Sequence, residues 1–223
     1  MGAGPQHGRS YRVQVRRFGP EEQARPGDFR RGDFILTHGA SIFSWLIRVG
    51  QGLRFWGADR RYTWWNHAAL IVSDDGALVE ALGAGVQQTD LTRYTATEYH
   101  LVRLGDLADD HDREQVVAFG RWCLGEEYGW TTIVSITLSL LSGVKFSFGF
   151  DGQSICSGLV ARALERTNVI FDRSPSHIMP ADLAMRFRVE PPPSGTDKGE
   201  PQKPIPGRSG SKPRERVDIV SEQ

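Results

Sequence analysis

His67 and Cys156 are the two side chains whose types and settings fit nucleophilic catalysis. His67 opens the apolar run Ala68-Ala69-Leu70-Ile71-Val72, whose branched residues predict a buried strand. Cys156 opens Ser157-Gly158-Leu159-Val160, and the apolar residues at 155, 159, 160, 163 and 164 predict one face of a helix. A thiol in the first turn of a helix lies at the positive end of the helix dipole. That favours the thiolate, the form that attacks a carbonyl carbon. A neutral imidazole with an unperturbed pKa of ~6.5 accepts a thiol proton, and the resulting ion pair stabilises both charges. A cysteine nucleophile with a histidine base is the expectation.

A third group is needed to orient the imidazole through its other nitrogen. Glu80 follows His67 across the turn Asp74-Asp75-Gly76, within cross-strand reach if the two strands pair. Its flanks Leu78, Val79, Ala81 and Leu82 are apolar, so its carboxylate enters a buried strand and is costly there unless paired. Asn66 is the alternative orienter, on the opposite strand face from His67. His38, at the end of a preceding strand, is the reserve base, whereas His7, His111 and His177 lie in loops or turns. For the oxyanion, the backbone N–H of Cys156 is one donor, and the second is not readable from the residues. Trp56, Tyr62, Trp64 and Trp65 either wall a substrate site or form a hydrophobic cluster under a loop. No metal-ligand spacing occurs among the histidines, cysteines and carboxylates, and no cofactor is expected.

The order histidine first, cysteine later is the reverse of that in papain-like enzymes. With Gly32-Asp33-Phe34-Ile35-Leu36, Leu78-Val79-Glu80-Ala81, Gly85-Val86 and Cys156-Ser157-Gly158-Leu159-Val160, the chain resembles the circularly permuted branch of the NlpC-type, papain-like hydrolases. That branch includes the YiiX-like permuted amidases and the lecithin retinol acyltransferase group. The likeness spans about residues 30 to 187. It implies a permuted papain-like fold, a Cys156 nucleophile, a His67 base, a third polar residue at Glu80 and a thioester acyl-enzyme. It also implies an amide or ester substrate: a peptide, an isopeptide or a lipid-derived acyl group. Only similarity to papain, where a glutamine at a different spacing supplies the second oxyanion donor, points to Gln153 for that role. Tyr128-Gly129-Trp130 departs from the Tyr-Asp-Trp frequent in the permuted amidases, which puts the substrate range of that group in question here. The competing reading is a catalytically silent binding or structural module that keeps this fold.

Composition narrows the rest. The 223 residues suit one domain with a sizeable core. Lys plus Arg and Asp plus Glu are 27 each, which argues against a nucleic-acid surface built on Arg30, Arg31, Arg60 and Arg61. Two cysteines rule out a disulfide scaffold, and Cys123 reads as a small buried apolar residue. The N-terminal residues lack the apolar core of a signal peptide, so the expected location is cytoplasmic, or a site reached without Sec export, such as a phage particle. No stretch is apolar for long enough to span a bilayer; the segment 131–150 is either a lid, a peripheral membrane contact or a core helix. The oligomeric state is left open.

The elements that must position these residues read as an α+β domain, a small antiparallel sheet packed against helices. Strands are expected at 33–37, 67–73, 77–81 and 98–104, and helices at 41–53, 112–124 and 155–166, the second capped by Asp110 or His111. Residues 1–28 read as a weakly structured arm with one strand at 11–15, and 29–189 as the catalytic domain. Residues 190–223, with seven prolines, four glycines and no aromatic residue, read as a disordered tail.

Overall fold

A computed structural model describes residues 13–39, 42–126 and 156–193. Six strands form one antiparallel sheet: β1 (Gln14–Phe18), β2 (Phe34–Thr37), β3 (His67–Ile71), β4 (Ala77–Leu82), β5 (Gly85–Asp90) and β6 (Tyr99–Arg103). Their order across the sheet is β1-β6-β2-β3-β4-β5. Among the described residues there are four α-helices: α1 (Ile42–Arg54), α2 (Asp110–Trp122), α3 (Cys156–Leu164) and α4 (Pro180–Phe187). The α+β class and the small antiparallel sheet are as the sequence predicts.

Each strand sorts its side chains by alternation. Phe34, Leu36, Ala68, Leu70, Val79, Ala81 and Val102 face the helices, in one core with Val116, Val117, Leu159, Val160, Leu183 and Phe187. Ile35, Ala69, Ile71, Leu78 and Leu101 face the other way, onto Phe18, Phe29, Leu91, Tyr94 and Tyr99. Among the described residues this second layer has no helix longer than a single turn. It is closed by the chain after β1 and by a 3-10 turn over Leu91–Tyr94, whose N-cap Asp90 accepts from the Thr92 N–H.

Two local features hold the sheet to α2. Gly32 has φ +87, a backbone form open to glycine, and a Cβ there would come within 3.2 Å of Arg113. The next residue, Asp33, is buried; Arg113 donates to it at 2.9 Å and Leu104 N–H at 3.1 Å on one oxygen, and Arg30 N–H at 2.9 Å on the other. The same guanidinium donates to the Arg31 carbonyl at 2.8 Å. A buried carboxylate so provided for clamps the start of β2 to α2.

Several expectations are corrected. The N-cap of α2 is Asp109, in a reciprocal capping box with Asp112, rather than Asp110 or His111. The first strand lies at 14–18, not 11–15, and pairs with β6 in the register Gln14↔Arg103 to Phe18↔Tyr99. Part of the expected arm therefore belongs to the folded unit: Phe18 is buried in the second core layer, and Ala24 packs against it. β5 and α4 extend the pattern beyond the elements expected. The expected tail begins at Glu190, whose carboxylate meets Tyr62 and Arg61; residues from 194 on lie outside the described residues, as do residues 1–12.

Candidate active site

β3 and β4 pair at only two positions, Leu70↔Val79 and Ile71↔Leu78. Beyond them the strands part, and His67 and Glu80 lie on either side of the opening. Glu80 points to the face away from the helices, beside Tyr94, while Cys156 belongs to the helix-side core. His67 bridges the two. Its Nε2 meets Glu80 Oε2 at 2.6 Å. The Cys156 thiol lies beside the same ring, close enough for charge and hydrogen bonding to couple the two groups. The backbone N–H groups of Ala68 and Ser157 add to the environment that favours its ionised form.

The start of α3 is pinned from below. Ser157 Oγ donates to the Ile178 carbonyl at 2.7 Å, and Cys156, Ser157 and Gly158 are all buried. The nucleophile candidate thus begins a helix whose first residues are fixed on the stretch leading into α4.

The electrostatics of the three groups form one system. Burial pulls His67 toward the neutral ring, but the Cys156 charge and hydrogen bond and the Glu80 carboxylate outweigh it and raise the imidazole to about 10. Burial pushes the Cys156 thiol up. The His67 charge, its hydrogen bond and the two backbone N–H groups reverse this and hold it below its usual range. Glu80, also opposed by burial, is brought down to about 2 by His67, Thr89 and Tyr94. In the ionised state that these shifts favour, thiolate, imidazolium and carboxylate would alternate in sign along the line, each stabilising the next.

The other candidates are placed elsewhere. Asn66 does not touch His67; it clamps Gly39 through two hydrogen bonds, 2.7 Å from the Gly39 N–H and 2.9 Å to its carbonyl. The His38 Nδ1 lies 2.7 Å from the Trp64 carbonyl, and its ring stacks on that indole at 4.3 Å. Trp65 and Tyr62 are core, the indole N–H of Trp65 donating to the Val189 carbonyl at 2.9 Å. Trp56 is exposed. Of the four aromatics, read as either a substrate wall or a hydrophobic cluster, Tyr62 and Trp65 are core, Trp64 packs against it and Trp56 is on the surface. His111 and His177 are exposed; His177 ends a 3-10 turn, whereas His111, expected in a turn, lies in the first turn of α2. Gln153, the 131–150 segment and Tyr128-Gly129-Trp130 lie outside the described residues.

Three partners of Glu80 escaped sequence reasoning: Thr89, Tyr94 and Arg93. A sixth histidine, His100, is also buried, with Nε2 3.2 Å from Glu98 and its ring 4.6 Å from that of Trp65. Two cavities are lined by described residues, one of about 310 Å³ beside Arg31, Asp74 and Arg121 and one of about 400 Å³ beside Arg54, Trp56 and Phe171. Neither borders the three groups. Among the described residues no group of three or more His, Cys, Asp or Glu is placed to hold a metal ion, and no helix is long and apolar enough to cross a membrane. No family model matches the chain, and no curated protein matches it.

Proposed function

We propose that the chain is a cysteine hydrolase of the permuted papain-like kind, acting on an amide or ester through a thioester acyl-enzyme. One observation carries the reading: His67 is held between a buried carboxylate at 2.6 Å and the thiol of Cys156 at the start of a helix. An imidazole so placed keeps the thiol ionised and faces it with an N–H. The chain order of histidine and cysteine, and a cysteine helix packed on one face of an antiparallel sheet, agree with the permuted arrangement.

In this mechanism the Cys156 thiolate attacks the carbonyl carbon and negative charge passes to the carbonyl oxygen. The backbone N–H of Cys156, at the first helical position, is the donor assigned to that charge. Collapse breaks the bond to the leaving amine or alkoxide, which takes the proton from Nδ1 of His67 and departs. Water then attacks the thioester and gives its proton to Nδ1. Release of the carboxylic acid returns the thiolate–imidazolium pair. Glu80 keeps Nε2 protonated throughout and stabilises the charged ring. An amine or alcohol in place of water converts hydrolysis into acyl transfer.

The complete burial of Cys156 favours a second reading, a module that keeps the constellation without turnover. Intact-mass measurement on the protein exposed to p-nitrophenyl esters of short and long acids and to peptide amides separates the two. The enzyme reading expects product, with an acyl adduct on Cys156 that is absent from Cys156→Ala. Hydrolysis that survives in Cys156→Ala, or a panel that leaves Cys156 unacylated, would overturn it.

A further inference from the structure

We infer that Tyr94 and Thr89 are positioning residues, a pair of hydroxyls that hold Glu80 ionised and aligned on His67. For its consequence at Cys156 this rests on the cysteine-hydrolase reading. Glu80 has no solvent exposure at all. A carboxylate in that position is ordinarily driven to its neutral acid, which donates a proton instead of accepting one. Here three hydrogen bonds and one ion pair engage the two oxygens. Oε2 takes the His67 ring at 2.6 Å and the Tyr94 hydroxyl at 2.5 Å. Oε1 takes the Thr89 hydroxyl at 2.5 Å, with Arg93 Nε 3.7 Å away.

An ionised carboxylate only accepts, so both hydroxyls must donate. Tyr94 is suited to this: burial and the neighbouring Glu80 charge push its own ionisation well above the ordinary range, so it stays a donor. Two donors approaching from β5 and from the turn after it fix the carboxylate plane, and the remaining lone pair of Oε2 is left aimed at β3. The groups facing Glu80 are therefore His67 from β3, Thr89 from β5, and Arg93 and Tyr94 from the turn, with Cys156 of α3 beyond the histidine. Arg93 differs from the others because its side chain is 42% exposed and its charge is open to salt.

The hydroxyl pair acts on the nucleophile through two intermediaries. If Glu80 takes up a proton, the imidazolium loses its anion and the ion pair with Cys156 collapses to two neutral groups. The acid limit of thiolate reactivity then follows the ionisation of Glu80. A role in packing alone predicts no such link.

Carboxyl-labelled glutamate and carbon NMR read Glu80 directly in the full chain, its resonance being the one lost in Glu80→Gln. Tyr94→Phe and Thr89→Val each remove a single donor without changing shape. Each is expected to raise the Glu80 midpoint by about one pH unit, the scale of one hydrogen bond to a charged group. The acid limb of iodoacetamide alkylation at Cys156 should move the same way in both. In the Glu80→Gln background Tyr94→Phe should add no further shift, because its route to the thiol is gone. Arg93→Gln should shift the midpoint less, and less still in high salt. A Glu80 midpoint unmoved by Tyr94→Phe overturns the inference, and so does a Tyr94 effect on alkylation that is equal with and without the carboxylate. An ordinary thiol profile at Cys156 in the wild type sinks the hydrolase reading instead, while the carboxyl resonance still decides whether the hydroxyls hold Glu80.

Discussion

Replacing His67 by alanine should turn Cys156 into a second Cys123, and the protein contains both ends of the comparison. Both thiols are shut off from solvent, and Cys156 lies the deeper of the two. Burial, with Glu126 beside it, pushes Cys123 up to about 12. Cys156 meets at least as strong a burial penalty but lies below its ordinary value of 9.0, because the His67 charge and the N–H groups of Ala68 and Ser157 oppose it. Without the imidazole only the two N–H groups remain, so the thiol should rise past 9.0 toward the Cys123 value. From 9.0 to about 12 the thiolate population at neutral pH falls roughly a thousandfold, ten for each pKa unit. A more basic thiolate is also a better nucleophile, with a Brønsted slope of about 0.4–0.5, which returns roughly twentyfold. The net loss is therefore about fiftyfold, and more in practice because the wild type starts below 9.0. Iodoacetamide rates measured against pH, with Cys123 and Cys156 resolved by peptide mass spectrometry, test this. Wild type should label Cys156 first and keep doing so into acid; His67→Ala should label both thiols slowly, and only as the solution turns alkaline. A Cys156 rate and pH profile unchanged in His67→Ala would refute the pairing.

Glu80→Gln should retain more activity than Glu80→Ala, and Cys156→Ala the least. The amide can still hold the ring and meet Thr89 and Tyr94, whereas alanine leaves an imidazole nitrogen and two hydroxyls unpaired. Esterase rates for both Glu80 variants equal to that of wild type would remove Glu80 from the mechanism. Glu80 is also a stability device with a definite sign. Its folded value of about 2 lies below the ordinary 4.5, so its contribution is complete above 4.5 and is lost as the pH falls toward 2; the 2.5-unit gap corresponds to about 3 kcal/mol. Urea denaturation at several pH values should show that acid slope in wild type and a flatter one in Glu80→Gln. Arg113→Met leaves Asp33 buried with one strong donor fewer and should cost about 3–5 kcal/mol of unfolding free energy, partly recovered by adding Asp33→Asn. If the double variant is no more stable than the single one, the clamp between β2 and α2 is not the source of the loss. Gly120→Ala should cost about 1–3 kcal/mol, read by thermal melting, because the new Cβ would come within 2.7 Å of Leu70 Cδ2 where α2 crosses β3.

What the sequence made legible is what repeats along the chain. The apolar runs after His67 and around Leu78 flank the Asp74-Asp75-Gly76 turn, and that alone places Glu80 within cross-strand reach of His67, one strand over. The apolar spacing after Cys156 defines its helix to within a residue or two of Cys156–Leu164. α4 also left a signal, since Pro180 at its first turn, Asp182 two residues on, and apolar Leu183, Ala184 and Phe187 fit a helix start. By contrast β5 reads Gly-Val-Gln-Gln-Thr-Asp, an edge strand half open to water that carries no period strong enough to mark it. Tyr94 and Thr89 are invisible for a related reason. Their significance lies in a carboxylate on another strand, and no spacing along the chain encodes a hydrogen bond that exists only after β4 and β5 pair. The candidate site divides along the same line. Its reactive atoms sit at the ends of periodic elements and can be read from the chain. The groups that decide whether those atoms are charged come from a polar edge strand and a one-turn helix, and are recognised only once the buried glutamate has to be accounted for. An unexplained buried carboxylate in a sequence is thus an instruction to look for hydroxyl and guanidinium donors on the next strand and on the turn that follows it.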